Sequence, residues 1–140
     1  WDAETGGGLL VIEAGDWVRA LAAFVDPATG EMRLVSGAYP DVRVWNPAAG
    51  GAAIEAEPEG HSDEVDGLVT FVDPATGALR VVTGSLDKTI RVWDAETGDV
   101  LLVIDVGDYV NALAFFVDPA TGAPRLACGC DDGKVRVFDP

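Results

Sequence analysis

His61 is the one histidine of the chain, and Asp63, Glu64 and Asp66 follow it closely. A metal centre would need His, Cys or carboxylate ligands at coordinating spacing. No such cluster surrounds His61, so the acidic residues read as a solvated loop and the imidazole as a structural group. Cys128 and Cys130 are separated by one residue, which in a strand places both thiols on one face. They read as small core fillers, as free cysteines commonly are. Asp26, Asp73 and Asp118 each open an identical DPATG segment. Each stands alone there, whereas a calcium loop needs several oxygens at close spacing. A turn accounts for these segments instead, with Pro in its second position and a Gly able to take positive φ. No nucleophile paired with a base, phosphate loop or pair of carboxylates emerges. The expectation is a non-enzyme with no catalytic residue, cofactor or metal.

The elements that must position these residues are revealed by recurrence. TIRVWDAETG, from Thr89 to Gly98, alternates β-branched and polar residues, turns through polar residues and Gly98, and enters the apolar run Val100–Ile104. This is a strand-turn-strand pattern. VRVWNPAAG from Val42 and VRVFDP from Val135 repeat it, and the chain opens with its second half, WDAETG. Trp1, Trp45, Trp93 and Phe138 are spaced by 44, 48 and 45 residues, and the three VDPATG segments by 47 and 45. Two independent markers thus share one period. About 40–45 residues per unit, four short strands and a Trp-Asp signature indicate propeller blades.

The reading predicts an all-β fold: three blades of four antiparallel strands, in units of roughly residues 1–46, 47–94 and 95–140. The first unit takes strands at 9–14, 18–25, 32–37 and 42–45. The second takes 52–57, 65–72, 79–84 and 89–93, and the third 100–106, 110–117, 125–129 and 135–138. No helix is expected. The equivalents of the two cysteines are Ser36 and Thr83, then Ala38 and Ser85, all small. Unpaired thiols of this kind suit a reducing compartment, so a cytoplasmic location is expected.

The formal charge of −15 argues against nucleic acid, whose binding needs a basic footprint, and electrostatically favours basic peptides or proteins. No apolar run approaches the roughly 18 residues of a membrane helix, and no partner membrane is expected. The sequence starts inside a repeat and its one Met is Met32, which suits a segment of a longer protein or an engineered cut.

These residues resemble the WD-repeat β-propellers, over essentially the whole chain. Unit two carries the resemblance furthest, with Gly60-His61 before its inner strand and VTGSLDKTIRVWD from Val81 to Asp94. The resemblance implies a buried hydrogen-bonded set of His61, Ser85 (or Thr83), Asp87 and Trp93. Units one and three have GDWV and GDYV where unit two has GHSDEV, and unit three has Phe138 in the Trp position. Their turns are expected to rely on Asp41 or Asp132 with backbone partners. The resemblance also implies a protein-binding face around the inner strands and turns: Trp17, Arg19, Glu64, Asp66, Tyr109 and Asn111, with Tyr39, Leu86 and Asp131. Trp, Tyr and Arg are the types enriched in interface hot spots. A non-catalytic interaction scaffold follows. The alternatives are a small-molecule or glycan binding propeller, or a designed or recently duplicated one without an evolved partner.

Three blades cannot close a ring that typically takes four to eight. Self-association is therefore expected, with one chain's first strand completing another's last blade; the alternative is a longer propeller whose further blades complete the ring. A dimer of six blades is preferred to a trimer of nine.

Overall fold

Alternating apolar and polar side chains leave each strand with two unlike faces, and that alternation organises the whole molecule. The computed structural model describes residues 4–5, 10–39, 41–50, 60–140 and, for the backbone, 52–54. Three antiparallel sheets follow one another along the chain. The first contains β1 (Ala20–Val25), β2 (Met32–Gly37), β3 (Val42–Asn46) and β4 (Ala52–Ile54). The second contains β5 (Val65–Val72), β6 (Leu79–Ser85), β7 (Thr89–Asp94) and β8 (Val100–Asp105). The third contains β9 (Val110–Val117), β10 (Pro124–Cys130) and β11 (Val135–Phe138). Neighbours in the sequence are neighbours in each sheet, a meander of hairpins. One 3-10 turn, Pro47–Ala49, interrupts the all-β pattern, with the Asn46 side chain accepting from the backbone of Ala48 and Ala49.

The DPATG loops are built alike. In the first, Asp26 Oδ1 accepts from Ala28 N at 2.9 Å and Oδ2 from the Thr29 hydroxyl at 2.8 Å. Gly30 takes φ +71°, which an L side chain adopts only with strain. Asp73 with Thr76 and Asp118 with Thr121 repeat the arrangement. Those bonds hold all three carboxyls below the ordinary carboxylate pKa.

The sheets stack face to face. Each face of β6 meets a different neighbour: Val81 packs with Val35, Val42 and Val44 of the first sheet, and Val82 with Val110, Leu126 and Cys128 of the third. β1, β5 and β9 lie side by side as the inner strands. Glycine on β2 and β6 allows the close approach. A Cβ at Gly37 would stand 2.7 Å from Val65 Cγ1, and one at Gly84 would overlap Val110.

Of the strand expected at 9–14, Leu9 is outside the described residues, and residues 10–14 form no strand and have no ladder partner among the described residues. An isolated extended segment gains no interstrand hydrogen bonds, so nothing holds it in strand geometry. β11 in turn has no outer neighbour among the described residues, and the third sheet has three strands rather than four. Expected strand residues 55–57, the opening Trp1-Asp2-Ala3 and the turn residue Pro40 also lie outside the described residues.

Candidate interaction site

Beneath the upper turns of the second sheet, hydrogen bonds join two aromatic rings to a carboxylate. Trp93 Nε1 on β7 donates to Thr83 Oγ1 on β6 at 2.8 Å. The Thr83 hydroxyl lies 2.7 Å from His61 Nε2, and His61 Nδ1 lies 2.8 Å from Asp87 Oδ2. The assignment satisfying every group gives Thr83 O–H to Nε2 and Nδ1–H to the carboxylate, which makes the imidazole neutral. Burial lowers the His61 pKa below its ordinary 6.5, and the attraction of Asp87 does not offset it. Desolvation would raise the Asp87 pKa, but hydrogen bonds from Thr89 and His61 outweigh it and hold it low. The Asp87 carboxylate also receives Ser62 N at 3.1 Å and Thr89 N at 2.9 Å. The loop before β5 is thereby fastened to the β6–β7 turn.

Of the two hydroxyls the resemblance leaves open, Thr83 stands between the rings. Ser85 has a different job: its Oγ donates to Asp63 O at 3.1 Å and accepts from Asp87 N at 3.0 Å.

The other blades solve the same problem with arginine. In the first, Trp45 Nε1 donates to Ser36 Oγ at 2.8 Å. No histidine follows; instead Arg43 donates to Asp41 Oδ2 at 2.9 Å and to Ala14 O at 3.1 Å, fastening the segment before β1 to the β2–β3 turn. In the third, Arg136 makes two bonds to Asp132, at 3.1 and 2.8 Å, which push the Asp132 pKa far down. The expectation that backbone partners suffice for these turns is therefore corrected. A signal was present, since Arg43, Arg91 and Arg136 each stand two residues before the aromatic. The third blade also replaces both members of the Trp–hydroxyl pair. Phe138 has no N–H to satisfy, and Cys128 fills the hydroxyl's place without needing a partner. The Cys128 and Cys130 sulfurs lie 3.6 Å apart and buried, and burial, then the neighbouring Cys130, push the Cys128 thiol up to about 11. Such a thiol stays protonated and unreactive at neutral pH. Among the described residues no group of three or more His, Cys, Asp or Glu could hold a metal ion.

The upper rim is where the sequence-derived interaction residues fall, in two groups. The first crosses from blade one to blade two. Arg19 pairs with Glu64 at 2.7 Å and approaches Asp66 at 3.7 Å, while its guanidinium lies 5.9 Å from the Trp17 ring centre. Leu86 N donates to Glu64 O at 3.0 Å, joining the β6–β7 turn to this group. The second crosses from blade two to blade three. The Lys88 ammonium lies 5.5 Å from the Tyr109 ring centre, Asp131 N donates to Tyr109 O, and Asn111 Nδ2 donates to Asp131. Tyr39 stands apart, exposed on the blade-one turn, where it borders a cavity of about 130 Å³ with Asp16, Asp41 and Arg43. Lys88 was missed from the sequence. It sits at φ +71° in a three-residue hairpin loop, where Gly133 stands in blade three; a lone Lys at a glycine position of the repeat is the trace it left.

Comparison with known proteins matches the repeats themselves. Nothing among curated proteins matches the chain. Among solved structures, the crystal structure of the computationally designed Ika8 protein is 33% identical, with a TM-score of 0.59, over 76% of this chain and 30% of that one. This chain thus spans under a third of that protein. The family model "WD domain, G-beta repeat" matches residues 55–94 and 102–139. These segments contain the second blade's Thr83–Trp93 pair and its counterpart in the third, and with them the chain belongs to the WD40 repeat family.

Proposed function

We propose that the chain is a non-catalytic protein-interaction scaffold whose upper rim receives a peptide or protein segment carrying basic residues. The observation that carries this reading is the exposed rim around Trp17 and Tyr109, equivalent positions of two blades, each with a cation beside its ring. Aromatic side chains held by a neighbour have little rotamer entropy left to lose on binding. The charge of −15 attracts basic segments and speeds their encounter. Copies of the chain join head to tail in this reading, residues 10–14 of one lying along the outer edge of β11 in the next, which gives a ring of six blades from two chains. A second reading, a designed or recently duplicated propeller with no evolved partner, is supported by the three identical DPATG loops and the likeness to a designed protein.

Trp17→Ala and Tyr109→Ala test the rim. Screened against a basic peptide library by fluorescence anisotropy, the chain should select binders that each substitution weakens about tenfold or more, with thermal stability little changed. Loss of stability with no change in peptide affinity would show that the two rings serve blade packing, and the interaction reading would fall.

A further inference from the structure

Two internal joints between blades use the same device. Val65 at the start of β5 seats against Gly37 of the preceding blade, and Val110 at the start of β9 seats against Gly84. Both valines are fully buried, at 0% exposure. The repeat contains a third valine and a third glycine at the same positions, Val18 and Gly129. Among the described residues neither has its partner. Val18 is 47% exposed, and a Cβ built at Gly129 would meet just the Ala112 Cβ, at 3.9 Å. The chain therefore presents an unused knob at one end and an unused socket at the other.

The faces around them show the same mismatch. Val135 and Val137 on β11 are 75% and 54% exposed, whereas their equivalents Ile90 and Val92 are 0% and 4% exposed against the third blade. Leu21 beside Val18 is likewise exposed, whereas its equivalents Leu68 and Leu113 pack into the two cores. Exposed apolar patches of this kind mark docking surfaces. Knob and socket occupy different ends, so the contact they define is head to tail, the kind that closes into a ring when the rotation permits.

We propose that a second copy of this chain docks on the blade-three face, with its Val18 seated on Gly129 and its Leu21 face against Val135 and Val137, in repetition of the two internal joints. This rests on the ring assembly of the preceding reading and names the residues that make it. Local charge is compatible with it. In that repetition Arg19 of the docking copy takes the place of Asp66 and Asn111 that of Arg19, so an arginine meets an amide there and not a like charge.

Gly129→Ala is the discriminating substitution. Inside one chain the added methyl meets an ordinary van der Waals distance, so the fold is retained; in the assembly it meets the incoming valine, as a methyl at Gly37 would meet Val65. Light scattering on the 140-residue chain at micromolar concentration is expected to give a closed oligomer. Gly129→Ala should raise its dissociation constant about tenfold or more while the circular dichroism of the chain stays unchanged. Val18→Asp, on the exposed knob at the other end, should dissociate it as well and keeps the test valid if Gly129→Ala fails to fold. A wild-type monomer would overturn ring assembly altogether. A wild-type oligomer that neither substitution weakens would overturn this docking and leave ring assembly standing.

Discussion

Thr83 shows how much one hydroxyl can carry in a buried polar set. It accepts the Trp93 indole proton and faces His61 Nε2, and all three groups are buried. Thr83→Val keeps the shape and removes both bonds, leaving an indole N–H and an imidazole nitrogen without a partner. Leaving such groups unsatisfied costs about 1–3 kcal/mol each in protein interiors, part of which relaxation recovers. The expected loss is about 2–3 kcal/mol in urea unfolding, with Thr83→Ser losing less because its hydroxyl remains. A Thr83→Val variant as stable as the wild type would show that the hydroxyl bonds add nothing to stability there. In blade three the same position can be a thiol because Phe138 asks for nothing.

The neutral state of His61 sets a pH window. Its folded pKa is depressed by burial, so the unfolded chain binds a proton that the folded chain refuses. This stability is fully present above the unfolded value, about 6.5, and is lost as pH falls from there towards the folded pKa. The carboxyls of Asp87 and Asp132, depressed in the fold, act lower down: their contribution is present above the unfolded value and is lost as pH falls through the folded one. Urea midpoints should therefore fall between pH 7 and 5 and again below pH 4. A flat profile from pH 7 to 5 would mean that His61 is not the buried neutral base described above.

At the scale of elements, the joints between blades differ in one ring. Phe71 and Phe115 stack across the second joint with centres 4.4 Å apart and planes within 6° of parallel. At the first joint Phe24 holds the repeat position of Phe71, but Thr70 holds that of Phe115. A cavity of about 510 Å³ opens there, with Phe24, Val44 and Leu79 in its wall. Thr70→Phe should supply the missing partner and raise stability by about 0.5–1.5 kcal/mol, the added worth of an aromatic pair. Calorimetry of the variant gives the answer, and a lowered midpoint would mean that the joint has no room for the ring. Elements were the most legible part of the sequence. β2, β5, β9 and β11 lie where alternation placed them, because a strand with a buried and an exposed face needs that alternation. The segment at 10–14 shows the same apolar character and forms no strand, because pairing depends on a partner that periodicity does not supply.

For the whole molecule, a charge of −15 on 140 residues opposes association, so the proposed assembly must draw on apolar surface. Val18, Leu21, Val135 and Val137 provide it at the two ends. The ring expected in the light-scattering experiment thus has its driving force at the sheet faces and its opposition spread over the surface. The Arg19–Glu64 pair adds modestly at a partly exposed joint, as surface pairs do.

By itself the sequence determined the repeat, most of the strands and the DPATG turns, since these follow from local periodicity and from which residues tolerate a given φ. It placed His61, Asp87 and Trp93 in one set through resemblance and left Thr83 and Ser85 open, because both are small hydroxyl residues on the same face of β6. Only the tertiary structure separated them: the distance from each hydroxyl to the Trp93 nitrogen depends on strand register. The same holds for Arg43 and Arg136, whose long side chains could reach several partners and which geometry directs to Asp41 and Asp132. It also distinguished Gly129 from Gly37 and Gly84. The three are alike in sequence, and two have a valine against them because another blade stands there.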